Sequence, residues 1–167
     1  MITKTSLLAT RALLCLVRDQ NDVATSPRSI ATHLGESQTY MAKVLRSLVK
    51  AGILRAEHGS KGGVLLNRRP DEITLLAVVE ACQGAIAANY CEDIEDLETA
   101  CAFHRAAVEL RASIIAVLSR WTVEHLAKTP GMARCGHGGK RCLMAEFPLS
   151  ATESMARSKP ARKHRPN

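Results

Sequence analysis

The amino-acid sequence predicts a mainly α fold with a small β-hairpin wing: a winged helix-turn-helix domain followed by a long dimerisation helix. Three observations predict it. Two short amphipathic segments are joined by a glycine turn between residues 26 and 52, a glycine-rich hairpin pattern follows them directly, and the stretch from Ala102 to Lys128 contains neither Gly nor Pro.

Taken in order, residues 3–19 place Leu7, Leu8, Ala12, Leu14, Cys15 and Val17 on overlapping helical faces, so a buried first helix is expected, stopping near Asn21. Thr25-Ser26-Pro27 then supplies a cap and a first-turn proline for a short helix carrying Ile30, Ala31 and Leu34 and ending at Gly35. Glu36-Ser37 caps a second segment in which Met41, Val44, Leu45 and Leu48 recur at helical spacing up to Ala51-Gly52. Off that apolar stripe lie Gln38, Thr39, Lys43, Arg46, Ser47 and Lys50, a face of donors that can meet base edges and phosphates. Alone, such a face reads as a solvated helix surface; its place after a tight helix-helix turn makes it a recognition helix, with Arg28 of the preceding helix beside it.

Ile53 to Leu66 form two short apolar runs around His58-Gly59-Ser60-Lys61-Gly62-Gly63, which predicts a β-hairpin wing. Gly62 and Gly63 would let the backbone lie close to a phosphate, and His58 and Lys61 could reach the duplex. Over residues 1–75, eleven Lys and Arg stand against six acids, so much of the positive charge sits where DNA would be.

Beyond Pro70-Asp71, Thr74 caps a helix carrying Leu75, Leu76, Val78, Val79 and Cys82 up to Gly84, with Cys82 assigned to the core. Glu92, Asp93, Glu95, Asp96 and Glu98 then fill the segment between Cys91 and Cys101. From Ala102 to Lys128 one unbroken helix would be about 40 Å long. Its Phe103, Ala107, Leu110, Ile114, Val117 and Trp121 alternate in steps of four and three, the seam of a two-stranded coiled coil, and are read as the dimer interface. Packing against the first helix is the alternative for this stretch. The expected organisation is therefore 1–84 winged helix-turn-helix domain, 85–101 cysteine-bearing sensor loop, 102–130 dimerisation helix and 131–167 flexible basic tail. Two-fold symmetry suits a palindromic operator in double-stranded DNA.

This order of elements resembles the Rrf-two family of winged-helix regulators, the IscR and NsrR type, over residues 1–130. The resemblance rests on Tyr40, on Leu48-Val49-Lys50-Ala51-Gly52-Ile53-Leu54, and on His58-Gly59-Ser60-Lys61-Gly62-Gly63 followed by Val64-Leu65-Leu66. It implies transcription regulation, with Tyr40 at the DNA, and an iron-sulfur cluster held by three loop cysteines plus a fourth ligand. The chain departs from that pattern twice. His58 stands where the wing's usual arginine would be, which makes groove insertion weaker and pH-sensitive, and only Cys91 and Cys101 match the loop cysteines. His104, three residues after Cys101, could share a metal with that thiolate. Three readings of Cys91, Cys101 and His104 stay open: ligands of a cluster or metal ion, a reversible thiol switch, or ordinary residues. A second group, Cys135, His137 and Cys142, could bind zinc, complete a site formed with the loop, or be an accidental cluster in a flexible segment.

Composition bounds the function. A formal charge of +7 on 167 residues favours an anionic partner. No stretch reaches the roughly 18 apolar residues of a membrane span, and Arg11 and Arg18 interrupt the N-terminal segment, so no membrane partner and a cytoplasmic location are expected, with reduced thiols. Ser60-Lys61-Gly62-Gly63 lacks P-loop spacing and no catalytic triad is present as a pattern, so an enzyme is not expected. A DNA-binding regulator, acting as a homodimeric repressor, is the reading reached; a metal- or thiol-redox-binding adaptor without specific DNA binding is the alternative.

Overall fold

The computed structural model describes residues 2–19, 23–59, 62–86 and 100–128. These form α1 (Lys4–Asp19), α2 (Pro27–Leu34), α3 (Gln38–Lys50), β1 (Leu54–Glu57), β2 (Gly63–Leu66), α4 (Leu75–Gln83), α5 (Ala102–Arg120) and α6 (Val123–Lys128).

The central element is α1, which packs against α2, α3, α4, α6 and β2. Ala9, Ala12 and Leu13 on it are fully buried, the alanines letting neighbouring backbones approach closely. Its start is fixed by a reciprocal cap: Thr3 N donates to Ser6 Oγ at 2.9 Å, and Ser6 N donates to Thr3 Oγ1 at 3.2 Å.

Both helices of the helix-turn-helix end in the same way. At Gly35 (φ +67°), Glu36 N donates to Ala31 O and Gly35 N to Thr32 O; at Gly52 (φ +68°), Ile53 N donates to Leu48 O and Gly52 N to Val49 O. Each is a Schellman stop, which needs a left-handed residue that glycine supplies without strain. At the other end of α2, Ser26 Oγ accepts from Ser29 N at 3.1 Å, with Pro27 in the first turn as expected. Ser37 has N-cap backbone geometry for α3, yet its side chain makes no capping bond.

The wing is antiparallel, with Leu54 opposite Leu66 and Glu57 opposite Gly63. Thr25, just before α2, adds a third partner on the far edge of β2 through two 3.0 Å bonds with Val64. A Cβ at Gly63 would lie 2.5 Å from Thr25 O, so only glycine lets this edge close.

The helix expected to run unbroken through residues 102–130 is two helices. Trp121 is extended (φ −92°, ψ 129°), and α5 covers 19 residues, about 28 Å. The cause is tertiary. Leu75 N donates to Trp121 O (2.8 Å) and Val123 N to Ile73 O (2.9 Å), so residues 73–75 and 121–123 pair, and Ile73 and Val123 are both fully buried. A continuous helix would carry Val123 away from that core. Thr122 and His125 then cap α6 reciprocally: His125 N donates to Thr122 Oγ1 at 3.3 Å and Thr122 N to His125 Nδ1 at 3.2 Å. Cys82, assigned to the core, is half-buried.

Candidate nucleic-acid interface

Four residues at spacings of four, three and four, Thr39, Lys43, Arg46 and Lys50, run down the exposed side of α3, with Gln38 beside them at its start. The opposite side is anchored: Met41, Val44, Leu45 and Leu48 are buried. Burial of that stripe, at roughly 1.5–3 kcal/mol per large side chain, holds the cations outward. Neither α2 nor α3 carries an acid, and between Pro27 and Lys50 four cations, counting exposed Arg28, face one carboxylate, Glu36. None of Arg28, Lys43, Arg46 and Lys50 has an ion pair among the described residues, whereas Arg55 pairs with Glu57, Arg69 with Asp71 and Lys128 with Glu124. Unpaired cations aligned on one rigid face produce a field that attracts phosphates.

Not every expected contact residue faces out in this way. Tyr40 is half-buried, and its hydroxyl lies 2.9 Å from that of Thr5 in α1. Ser47 is also half-buried, donating to Lys43 O. On the wing, His58 is exposed, whereas Gly62 and Gly63 have intramolecular reasons to be glycine: a Cβ at Gly62 would lie 2.7 Å from Glu57 O, and Gly63 abuts Thr25. That requirement was hidden in the sequence because Thr25 and Gly63 are distant along it. Lys61 lies outside the described residues.

At the start of α5, exposed Cys101 occupies the N-cap and its Sγ accepts from His104 N at 3.4 Å. His104 is 9% exposed, and its Nδ1 is buried without a hydrogen-bond partner among the described residues. Such an atom costs about 1–3 kcal/mol while it stays unsatisfied, so it suits a ligand role. A thiol and an imidazole one turn apart fit a nitrogen- and sulfur-ligated metal centre. They do not supply the three-cysteine set of the resemblance, because residues 85–101 contain only Cys91 and Cys101. Cys91, like Cys135, His137 and Cys142, lies outside the described residues, and no group of three metal-ligating side chains occurs among the described ones.

The residues expected at the dimer seam differ in exposure. Phe103, Leu110 and Val117, seven residues apart, are 66%, 62% and 48% exposed, a strip of large apolar side chains. Ala107 and Ile114 are half-buried, on a helix that packs against α4. Trp121 sits past the end of the helix, its ring edge-on to His125 at 6.1 Å. No helix among the described residues is long and apolar enough to cross a membrane.

The pattern of the Rrf2 (Rrf-two) family, described as iron-dependent transcriptional regulators, matches residues 2–129. The helix-turn-helix transcriptional regulator CymR of Bacillus subtilis is 30% identical over 112 residues, covering 67% of this chain and 78% of that protein. The transcriptional repressor NsrR of Streptomyces coelicolor is 29% identical over 133 residues, 77% of this chain and 89% of its own. Among solved structures, CymR, the global cysteine regulator of B. subtilis, superposes with a TM-score of 0.63 at 26% identity, covering 77% of this chain and 96% of the other.

Proposed function

The chain belongs to the Rrf2 family of transcriptional regulators, and from that premise we propose that it works in the cytoplasm as a homodimeric repressor, reading a palindromic operator in double-stranded DNA. As a regulator of this family it is a DNA-binding protein and not an enzyme.

The observation that carries the reading is the stripe Thr39, Lys43, Arg46 and Lys50 on a helix whose other side is locked into the core. In the proposed complex α3 lies in the major groove, Gln38, Thr39 and Arg46 meet base edges, and Arg28, Lys43 and Lys50 hold phosphates. His58 and Lys61 approach the backbone from the wing. The exposed strip Phe103, Leu110 and Val117, with Trp121 at its end, supports pairing with a second copy, which would set two α3 helices about 34 Å or a multiple apart.

Cys101 and His104, with Cys91, would hold the iron-sulfur cluster or iron ion that the family's description suggests, and the His104 Nδ1, without a hydrogen-bond partner among the described residues, supports this assignment. When bound, such a centre supplies sensitivity to redox state. The chain's own contribution is to fix Cys101 at the N-cap of α5, one turn from His104, and to keep His104 shielded from water.

The test is a gel-shift titration against genomic fragments at several salt concentrations. Lys43→Ala is expected to lower affinity for all fragments and to reduce the salt slope by about one. Arg46→Ala should cost about 1–3 kcal/mol and relax sequence preference. Unchanged binding by both variants would remove α3 from the interface.

A further inference from the structure

Resting on the reading of α3 as the recognition helix, we propose that Tyr40 is a positioning residue, which acts on operator binding through the hydroxyl of Thr5 and not by touching the duplex itself. The two hydroxyls are 2.9 Å apart and separated by 35 residues of chain. Both side chains are half-buried, so the bond is partly shielded from competing water.

The bond joins the first turn of α3 to the first turn of α1, and those two turns are held very differently. At α1, Thr3 and Ser6 cap one another and Ser6 is fully buried, on the helix that packs against most of the molecule. At α3, the N-cap Ser37 has the right backbone geometry and makes no side-chain bond, although Ser26 and Thr74 both cap their helices. The first turn of α3 therefore starts without the usual local anchor. What fixes it is Met41, fully buried on the core side, and the Tyr40 hydroxyl held by Thr5.

Gln38 and Thr39 belong to this same turn and point outward. Base-edge contacts tolerate only small displacements, on the order of 0.5 Å, whereas phosphate attraction tolerates more. Releasing Tyr40 thus lowers the fraction of molecules whose α3 start is in register, and that loss falls on sequence-specific binding.

Fluorescence anisotropy on the full chain tests this with two duplexes of equal length: an operator fragment selected from genomic DNA by the unaltered protein, and its scrambled version. Tyr40→Phe and Thr5→Val are each expected to weaken operator binding about two- to tenfold, the range one such bond can contribute. The scrambled duplex should bind as before. The double variant should be no weaker than either single one, and Thr5→Ser should restore affinity. A Thr5→Val protein that binds normally while Tyr40→Phe is impaired would assign the phenol to the DNA and overturn the proposal. Additive losses in the double variant, equal losses on both duplexes, or no loss in either single variant would overturn it as well. Arg46→Ala is measured alongside: if it too has no effect, the recognition-helix reading fails, and if it alone weakens binding, only the role of Tyr40 fails.

Discussion

The helix-turn-helix with its wing and the α5–α6 region present opposite surfaces from similar raw material. Residues 27–50 turn outward a line of cations and bury Leu, Val, Ile and Met; α5 turns outward Phe103, Leu110 and Val117 and keeps His104 inside. In the first region the boundaries are set by neighbours in sequence: Ser26 and Pro27 start α2, and Gly35 and Gly52 stop α2 and α3. In the second, the boundary at Trp121 is set by residues 73–75, some fifty positions away. A surface cation needs only solvent or phosphate. An exposed apolar strip gains nothing from solvent, so under the proposed function the second region is where a partner surface is expected and the first is where phosphate is.

The largest expected effect tests that difference directly. Leu110→Glu places a carboxylate in the middle of the apolar strip; sedimentation velocity should show monomers, and operator affinity should fall by about a hundredfold or more as bivalent binding is lost. A dimer of unchanged stability would put the subunit interface elsewhere. Next, Gly63→Ala forces a methyl against Thr25 O and should destabilise the fold by about 1–3 kcal/mol in urea titration, with DNA affinity lowered as the wing detaches from the start of α2. Wild-type stability would mean the Thr25 segment yields easily.

A smaller effect separates two serines that look alike in sequence. Ser26→Ala removes a capping bond and should cost about 1 kcal/mol, while Ser37→Ala, where no such bond exists, should leave the denaturation midpoint nearly unmoved. Equal losses would mean that both side chains cap in solution. The smallest effect concerns thiols. Burial pushes the Cys82 thiol above its ordinary range, because the thiolate is the disfavoured form there, so at neutral pH alkylation of half-buried Cys82 should lag behind that of exposed Cys101. Mass spectrometry of peptides after timed alkylation reads both; faster labelling of Cys82 at neutral pH would contradict the burial argument.

The sequence alone determined the order of elements from α1 to α4, the turn between α2 and α3, the wing, and which side of α3 faces out. Those features depend on caps, left-handed glycines and apolar spacing, which act within a few residues of one another. Tertiary structure decided the rest. Val123 enters the core only by pairing its segment with Ile73, which breaks the long helix; Ala107 and Ile114 are half-buried on a helix packed against α4; Gly63 is required by Thr25, and Tyr40 is held by Thr5. Each of these joins residues far apart in the chain, and periodicity along one segment carries no record of which distant backbone will lie beside it.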